Sequence, residues 1–522
     1  MFKIGTALLF TSLFATALAQ QMNPDPTFGN NGLVLVPFYG TTPDCYISVV
    51  RPQPDGRVVA VMLRTDQTPR PLVLRRYLQN GSIDPSFGLN GETSLVVTTP
   101  GQVPLLETAR IRPDGRILVL LRDGGRNLLV QFTAHGELDP TFGQGGIKLH
   151  AGAQTFDTYN LYIDEQGRAL VVGAHGPYAS ITRYLPTGDP DMSWGTNGIA
   201  SPMAPIFSSA AMDLAPTPEG GYVVVGTQTG TVVTASWIAK LDQWGQPVST
   251  FGTDGYALMD LLPASLGTKR EQLRRVVLRA DGGIVAVGNI SSLSVNLNVI
   301  LFALTANGQY DTTFGNGGNH QIILPNGLNV PTPEIFLRND GRVLVAGVQT
   351  GPSLSDNRLV FHEFLQDGTP NSGFGAGGTL SYVRPTMAIN SSGGLNFLPN
   401  GTLLANVDLT HLGQYKLGIL RLEQADITTG ITTEDGSTAQ RFGAYPNPTS
   451  GTITLQAEQL HGPAYVRLLD ALGREVQHWD LSALNLAQGQ PVQLRTDLPD
   501  GVYTLRVGLG ADSPTARVVL QR

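Results

Sequence analysis

Cysteine is all but missing: Cys45 stands alone in 522 residues. An intramolecular disulfide framework and a four-cysteine zinc site are therefore excluded, and Cys45 reads as a small buried apolar residue at a strand start. Charge is scarce as well, at 14% of residues with a formal net charge of -7, and Lys and Arg form no stripe. Neutralising a phosphate backbone needs such a stripe, so nucleic acid is not an expected partner. The eight histidines are scattered singly, which argues against a multi-histidine metal cage. The chain lacks a His-Glu-x-x-His helix, a Gly-x-Ser-x-Gly elbow, a Gly-x-x-x-x-Gly-Lys-Ser/Thr loop and an Asp-box repeat. After residue 19 no uninterrupted apolar run reaches about 18 residues, so no transmembrane segment is expected once a leader is removed.

What is present is turn chemistry and apolar runs. Gly 62, Pro 35 and 41% hydrophobic residues describe a chain able to bury a core through many short strands. At the N-terminus Lys3 precedes a mostly apolar stretch from Ile4 to Leu18, and Ala17-Leu18-Ala19 supplies a small-x-small pattern. This predicts a signal peptide over residues 1–19, cleaved after Ala19.

An aromatic residue followed by Gly-x-x-Gly recurs along the chain. The aromatics are Phe28, Phe87, Phe142, Trp194, Phe251, Phe314 and Phe374, 52 to 63 residues apart. Between successive copies lies a turn of the Pro-Asp-Gly kind, at Pro54-Asp55-Gly56, Pro113-Asp114-Gly115, Glu165-Gln166-Gly167 and Pro218-Glu219-Gly220. It continues at Ala280-Asp281-Gly282, Asn339-Asp340-Gly341 and Pro399-Asn400-Gly401. Each turn separates two apolar runs, the hairpin signature. One period reads as four strands: Tyr46 to Arg51, Val58 to Leu63, Leu72 to Leu78 and Ser94 to Val97. A self-similar period of this size, four strands long, predicts a β-propeller of seven blades.

The "PDGR-apolar" and "DPTFG" elements resemble the delta-60 repeat family, and the layout is similar to NHL propellers. The resemblance spans roughly residues 25 to 424. The first aromatic motif precedes the first turn, and the last turn has no aromatic motif after it. The strand at 33–37 is therefore expected to complete the last blade and remove two free sheet edges.

Residues 425–441 read as a linker, Thr-, Gly- and Asp-rich without apolar periodicity. After it, period-two alternation over Ile453/Leu455, Val466/Leu468 and Tyr503/Leu505/Val507 predicts a small immunoglobulin-like β-sandwich over 442–522. This segment resembles the type A C-terminal sorting domain of the type IX secretion system (the Por secretion tail) of the Bacteroidetes. The residues that carry the resemblance are Tyr445, Pro446, Asn447, Pro448 and Gly451, Gly473 in a hairpin turn, and Gly501 and Tyr503 near the end. Asp500 stands where most members have Ala or Ser. The resemblance implies periplasmic passage, recognition of the domain by the type IX machinery, and a secreted or surface-attached product.

No catalytic, cofactor-binding or metal-binding residue stands out. The repeated Asp25, Asp84, Asp139, Asp191 and Asp311 invite a calcium reading. One carboxylate per blade does not gather six ligands, so they are expected to cap turns while the aromatics pack between blades. No cofactor is expected. The leading functional reading is an extracellular binding or interaction scaffold for a glycan or protein ligand. A glycan hydrolase or lyase, or a surface adhesin, stays open beside it. The variable connections opposite the repeated turns are where a ligand site is expected.

Overall fold

The computed structural model describes residues 22–36, 48–64, 66–97, 103–150, 156–202, 208–229, 234–259, 269–292, 298–315, 321–323, 333–338, 340–349, 357–383, 388–398, 402–411, 414–424, 442–445, 450–457, 463–470, 474–482, 490–507 and 515–520. The leader at 1–19, Cys45, the linker and Pro446, Asn447, Pro448 and Gly473 lie outside these residues. The chain divides into two compact units, Met1–Ile427 and Thr428–Arg522. Among the described residues every regular element is a β-strand, as the turn-rich composition implies.

In the first unit each period folds into an antiparallel meander. Ser48–Pro52 pairs with Val58–Leu63, which pairs with Leu72–Tyr77, which pairs with Glu92–Leu95. The last of these starts two residues earlier than its apolar pattern suggests. Gly91 ends the preceding turn, and Glu92 pairs at once with Arg75. The pattern repeats from the inner strands Pro104–Ile111, Phe156–Ile163, Ser208–Pro216, Lys269–Leu278 and Glu334–Leu337. A single parallel bridge, Thr234 to Arg270, joins two of these meanders into one eight-stranded sheet.

The last sheet is built from both ends of the unit. Ala388–Phe397, Leu403–His411 and Gln414–Gln424 form its meander, and Met22–Pro24 and Leu33–Val36 both lie antiparallel to Gln414–Gln424. Each inner strand touches the next, and Ala388–Phe397 touches Ser48–Pro52, so the series of contacts returns to its start.

The second strand of a meander shows why the sheets stack. Val58 through Met62 are at most 3% exposed, which a strand reaches only when both faces are covered. Val59 and Val61 pack with Leu106, Ile117 and Val119 of the following sheet. Val58, Ala60 and Met62 point the other way, into Val34, Leu404 and Ile419. Each valine or methionine among them contributes about 1.5–3 kcal/mol through burial, and no single sheet covers both faces by itself.

The second unit has two sheets. One orders Phe442–Tyr445, Thr452–Ala457 and Gln490–Gln493; the other orders Glu475–Ser482, Pro463–Leu469, Gly501–Val507 and Thr515–Leu520. Ile453, Leu455 and Val492 of the first sheet share one apolar cluster with Val466, Leu468, Tyr503, Leu505 and Val518 of the second. The alternation of the sequence is thus the alternation of one buried and one outward face.

Candidate functional site

The repeated motif builds structure in a regular way. Asp84 is the clearest copy: its Oδ1 accepts the Ser86 amide at 3.0 Å and hydroxyl at 2.7 Å, and its Oδ2 accepts Arg76 Nε at 2.8 Å. Arg76 then lies over the Phe87 ring, 4.8 Å from its centroid, and donates to Ala134 O of the next meander at 2.6 Å. Asp25, Asp139, Asp191 and Asp311 accept the same pair of bonds from Thr27, Thr141, Ser193 and Thr313. Burial alone would raise these carboxyl groups, but the hydroxyl and amide bonds, with nearby arginines, hold all five below the usual aspartate value. At Asn371 donor and acceptor exchange places: its side-chain amide donates to Glu363, which pairs with Arg338 and Arg342.

The seven aromatics Phe28, Phe87, Phe142, Trp194, Phe251, Phe314 and Phe374 are at most 1% exposed. Phe87 lies under Gly136, where an added Cβ would come within 2.5 Å of the ring. Gly188, Gly245, Gly308 and Gly368 cover Phe142, Trp194, Phe251 and Phe314 in the same manner. The amide after six of the aromatics, Phe28 to Phe314, ties the neighbouring turn down: Gly88 donates to His135 O at 2.8 Å, and Gly195 to Trp244 O at 2.7 Å. The covering glycines form a third repeat that a motif search on the aromatics misses. Its signal is nonetheless in the sequence, because Gly136, Gly188, Gly245, Gly308 and Gly368 each stand three residues before Asp139, Asp191, Val248, Asp311 and Asn371, the equivalent positions of the repeat.

In the second unit Tyr445 ends a strand whose backbone pairs it with Thr454. Gly451 has φ +147°, a conformation L side chains avoid, and its carbonyl accepts the Leu494 amide at 2.7 Å. Gly501 opens a strand opposite Leu520. Tyr503 is buried and its hydroxyl donates to Pro499 O at 2.7 Å, pinning the turn before Gly501.

The arrangement with chemical content lies elsewhere, where the inner strands converge. The register of these strands slips by one residue just before Thr108, Asn160, Asp213, Arg275 and Gly394. Each of these residues stands seven positions before the glycine of its Pro-Asp-Gly-type turn, as do Val49 and Glu334. A bulge re-aims the side chain that follows it. Here Val49, Thr108, Asn160, Arg275, Glu334 and Gly394 line one cavity of about 470 Å³. An adjoining cavity of about 550 Å³ shares Pro52 and Ile111 with it and is lined by Pro54, Gly56, Pro113, Ile163 and Leu398. The second cavity therefore lies among the repeated turns, while most of the opposing connections fall outside the described residues.

Hydrogen bonds run around the cavity from sheet to sheet. Asn396 Nδ2 donates to Val50 O at 3.1 Å, and Arg51 Nε to Ala109 O at 2.9 Å. Arg110 Nη2 donates to Asn160 Oδ1 at 2.7 Å, and Asn160 Nδ2 to Asp213 Oδ1 at 2.8 Å. The Val276 amide donates to Asp213 Oδ2 at 3.1 Å, and Arg275 grips Glu334 with two bonds of 2.9 Å. Phe336 and Phe397 complete the circuit edge-to-face at 4.8 Å. Burial pushes the Asp213 carboxyl up to about 6, against the pull of Arg275 and of the Val276 amide. Burial, then the neighbouring Arg110, lowers Arg51 well below an ordinary guanidinium. Among the described residues no group of three His, Cys, Asp or Glu forms a metal cage, and no helix is long and apolar enough to cross a membrane.

Residues 443–521 match the secretion system C-terminal sorting domain, and residues 53–87 match DUF5122, a β-propeller domain of unknown function. No curated protein matches the chain. Among solved structures, PorZ, an essential surface component of the type IX secretion system of Porphyromonas gingivalis, is 14% identical with a TM-score of 0.36. The match covers 94% of this chain and 61% of PorZ, so the chain spans less than two thirds of that protein. Polysaccharide lyase Uly1 is 10% identical over 74% of this chain and 92% of its own, with a TM-score of 0.48. An endo-arabinase from Bacteroides thetaiotaomicron is 12% identical over 50% and 96%, with a TM-score of 0.30. The chain thus joins a DUF5122-type β-propeller repeat to a C-terminal type IX sorting domain, the address of a protein exported to the cell surface or the medium.

Proposed function

We propose that this protein is a non-enzymatic binding scaffold working outside the cell. In this reading residues 1–19 are a leader removed after Ala19. Residues 20–424 are a seven-bladed propeller fastened by the strand at 33–37, residues 425–441 a linker, and residues 442–522 an immunoglobulin-like domain that engages the type IX machinery. The pairing of Leu33–Val36 with Gln414–Gln424 supports the fastening. Tyr445 to Pro448, Gly451, Gly473, Gly501 and Tyr503 are its sorting residues.

One observation carries the binding role. The repeat keeps its turn glycine and its buried aromatic, yet the seven equivalent channel positions hold Val49, Thr108, Asn160, Asp213, Arg275, Glu334 and Gly394, no two alike. A purely structural ring needs no such individuality; a site that meets one ligand does. Deleting residues 442–522 is expected to abolish appearance at the surface and in the medium, by immunoblot of cell fractions. Profiling the purified full chain on a glycan and peptide array is expected to return a restricted set of ligands, and a blank array would count against the scaffold.

A glycan-cleaving enzyme is the second reading, favoured by the raised Asp213 carboxyl near Glu334. Release of reducing ends or unsaturated products from acidic polysaccharides, lost in Asp213→Asn, would replace the first reading with this one.

A further inference from the structure

Among the described residues, two of the cavity arginines hydrogen-bond to neutral acceptors alone. Arg51 donates to the carbonyls of Val50 and Ala109 and, at 3.5 Å, to Asn396 Oδ1 and Thr108 Oγ1. Arg110 donates to Thr108 Oγ1, Ala109 O and Asn160 Oδ1. Arg275, by contrast, holds Glu334 through Nε and Nη2, and Glu107, also on the cavity wall, is paired with Arg122 at 3.1 Å. Within the circuit three guanidinium groups therefore face two carboxylates, Asp213 and Glu334, which leaves one positive charge over. A half-buried guanidinium with no anion bonded to it is a costly arrangement that an arriving anion relieves. Nη2 of Arg51 and Nη2 of Arg110 each carry two N–H groups, and each makes one bond, so donors remain for a planar acceptor.

From this charge surplus and these spare donors we infer that the cavity takes a carboxylated sugar, its carboxylate held by Arg51 and Arg110. This deepens, and rests on, the scaffold reading above. One surplus charge suits a monoanion, and inorganic phosphate lacks the hydroxyl groups that the polar wall would meet. Thr108, Asn160 and Tyr159 on the wall offer polar partners for hydroxyl groups, and about 470 Å³ holds one or two sugar rings. The neighbouring guanidinium of Arg110, after burial, is what depresses Arg51, and an anion between them relieves that strain on its proton.

The test is calorimetric titration of the purified full chain with free glucuronate, galacturonate and sialate, with glucose and galactose as neutral counterparts and inorganic phosphate as the competing anion. At least one sugar acid is expected to saturate, with the neutral sugars silent and phosphate far weaker. Arg51→Gln and Arg110→Gln should each weaken binding about tenfold or more, and Arg51→Lys should recover part of it, with the melting temperature recorded for every variant. If Arg110→Gln fails to fold, Arg51→Gln and Arg51→Lys decide the matter. Equal binding of neutral sugars, phosphate displacing a sugar acid at matched concentration, or undiminished binding by Arg51→Gln would overturn the assignment. Array ligands without any sugar-acid response sink this inference and leave the scaffold standing; a silent array together with silent titrations sinks both.

Discussion

Gly136 and Gly125 separate two reasons for a glycine. Both have positive φ, +89° and +87°, but a Cβ on Gly136 meets the Phe87 ring at 2.5 Å, while one on Gly125 meets nothing within 4 Å. Gly125→Ala is expected to cost only the left-handed backbone penalty of about 1–2 kcal/mol. Gly136→Ala adds overpacking of about 1–3 kcal/mol to it. Urea denaturation of the two variants checks the difference, and equal losses would mean that the ring is not held under the glycine. Phe87→Ala, which empties the same seat, is expected to cost about 3–5 kcal/mol. Gly125 is fixed by its backbone alone and Gly136 also by its neighbour, which belongs to another sheet.

At the scale of elements, the last sheet depends on a segment from the other end of the unit. Arg421 bonds Asp25, Thr27 Oγ1 at 3.1 Å and Gln79 O at 2.6 Å, so one side chain joins the final strand to the first motif and to the first meander. Without residues 20–36 the strand Gln414–Gln424 presents an unpaired edge, a template for another chain. A chain lacking them is expected to elute as dimers and larger species in size-exclusion chromatography with light scattering, where the intact chain elutes as one species. Arg421→Ala should lower the melting temperature more than Arg57→Ala, because Arg57 at the rim keeps 34% of its side chain exposed.

For the molecule as a whole, opposing groups set the response to acid. His150 and His362 are buried and pushed down to about 4, chiefly by desolvation. Between pH 6.5 and 4 the unfolded chain binds their protons and the folded chain does not, so stability falls as pH falls, by up to about 3 kcal/mol for each. Asp213 runs the other way. Raised to about 6, it binds a proton in the folded state before the unfolded one, so stability rises as pH falls from 6 toward 4. Asp25, Asp84, Asp139, Asp191 and Asp311, all depressed, contribute stability that is lost only below about 4. Asp213→Asn is therefore expected to steepen the loss between pH 6.5 and 4, and the double variant His150→Phe/His362→Leu to flatten it. Denaturant midpoints across that range measure both, and an unchanged slope in Asp213→Asn would mean that its carboxyl is not perturbed.

The repeats were legible because each copy solves the same local problem: Pro and Asp shape a turn, Gly accepts positive φ, and an aromatic fills the seat between sheets. The same holds for the sorting tail, whose alternation and glycines specify a two-faced sheet before any partner is present. The covering glycines Gly136 to Gly368 were equally local but stand in turns of varied sequence, and only their constant distance to the repeated Asp position marks them. The cavity was another matter. Thr108, Asn160, Asp213, Arg275 and Glu334 share no residue type and lie between 52 and 226 positions from one another, so only their constant distance to the turn glycine marks them in the sequence and nothing local brings them together. Sequence by itself determined strands, turns and export address, since those depend on neighbours in the chain. Only the tertiary structure decided which side chains share a cavity, because bulges re-aim them and the stacking of sheets closes the circle around which they meet.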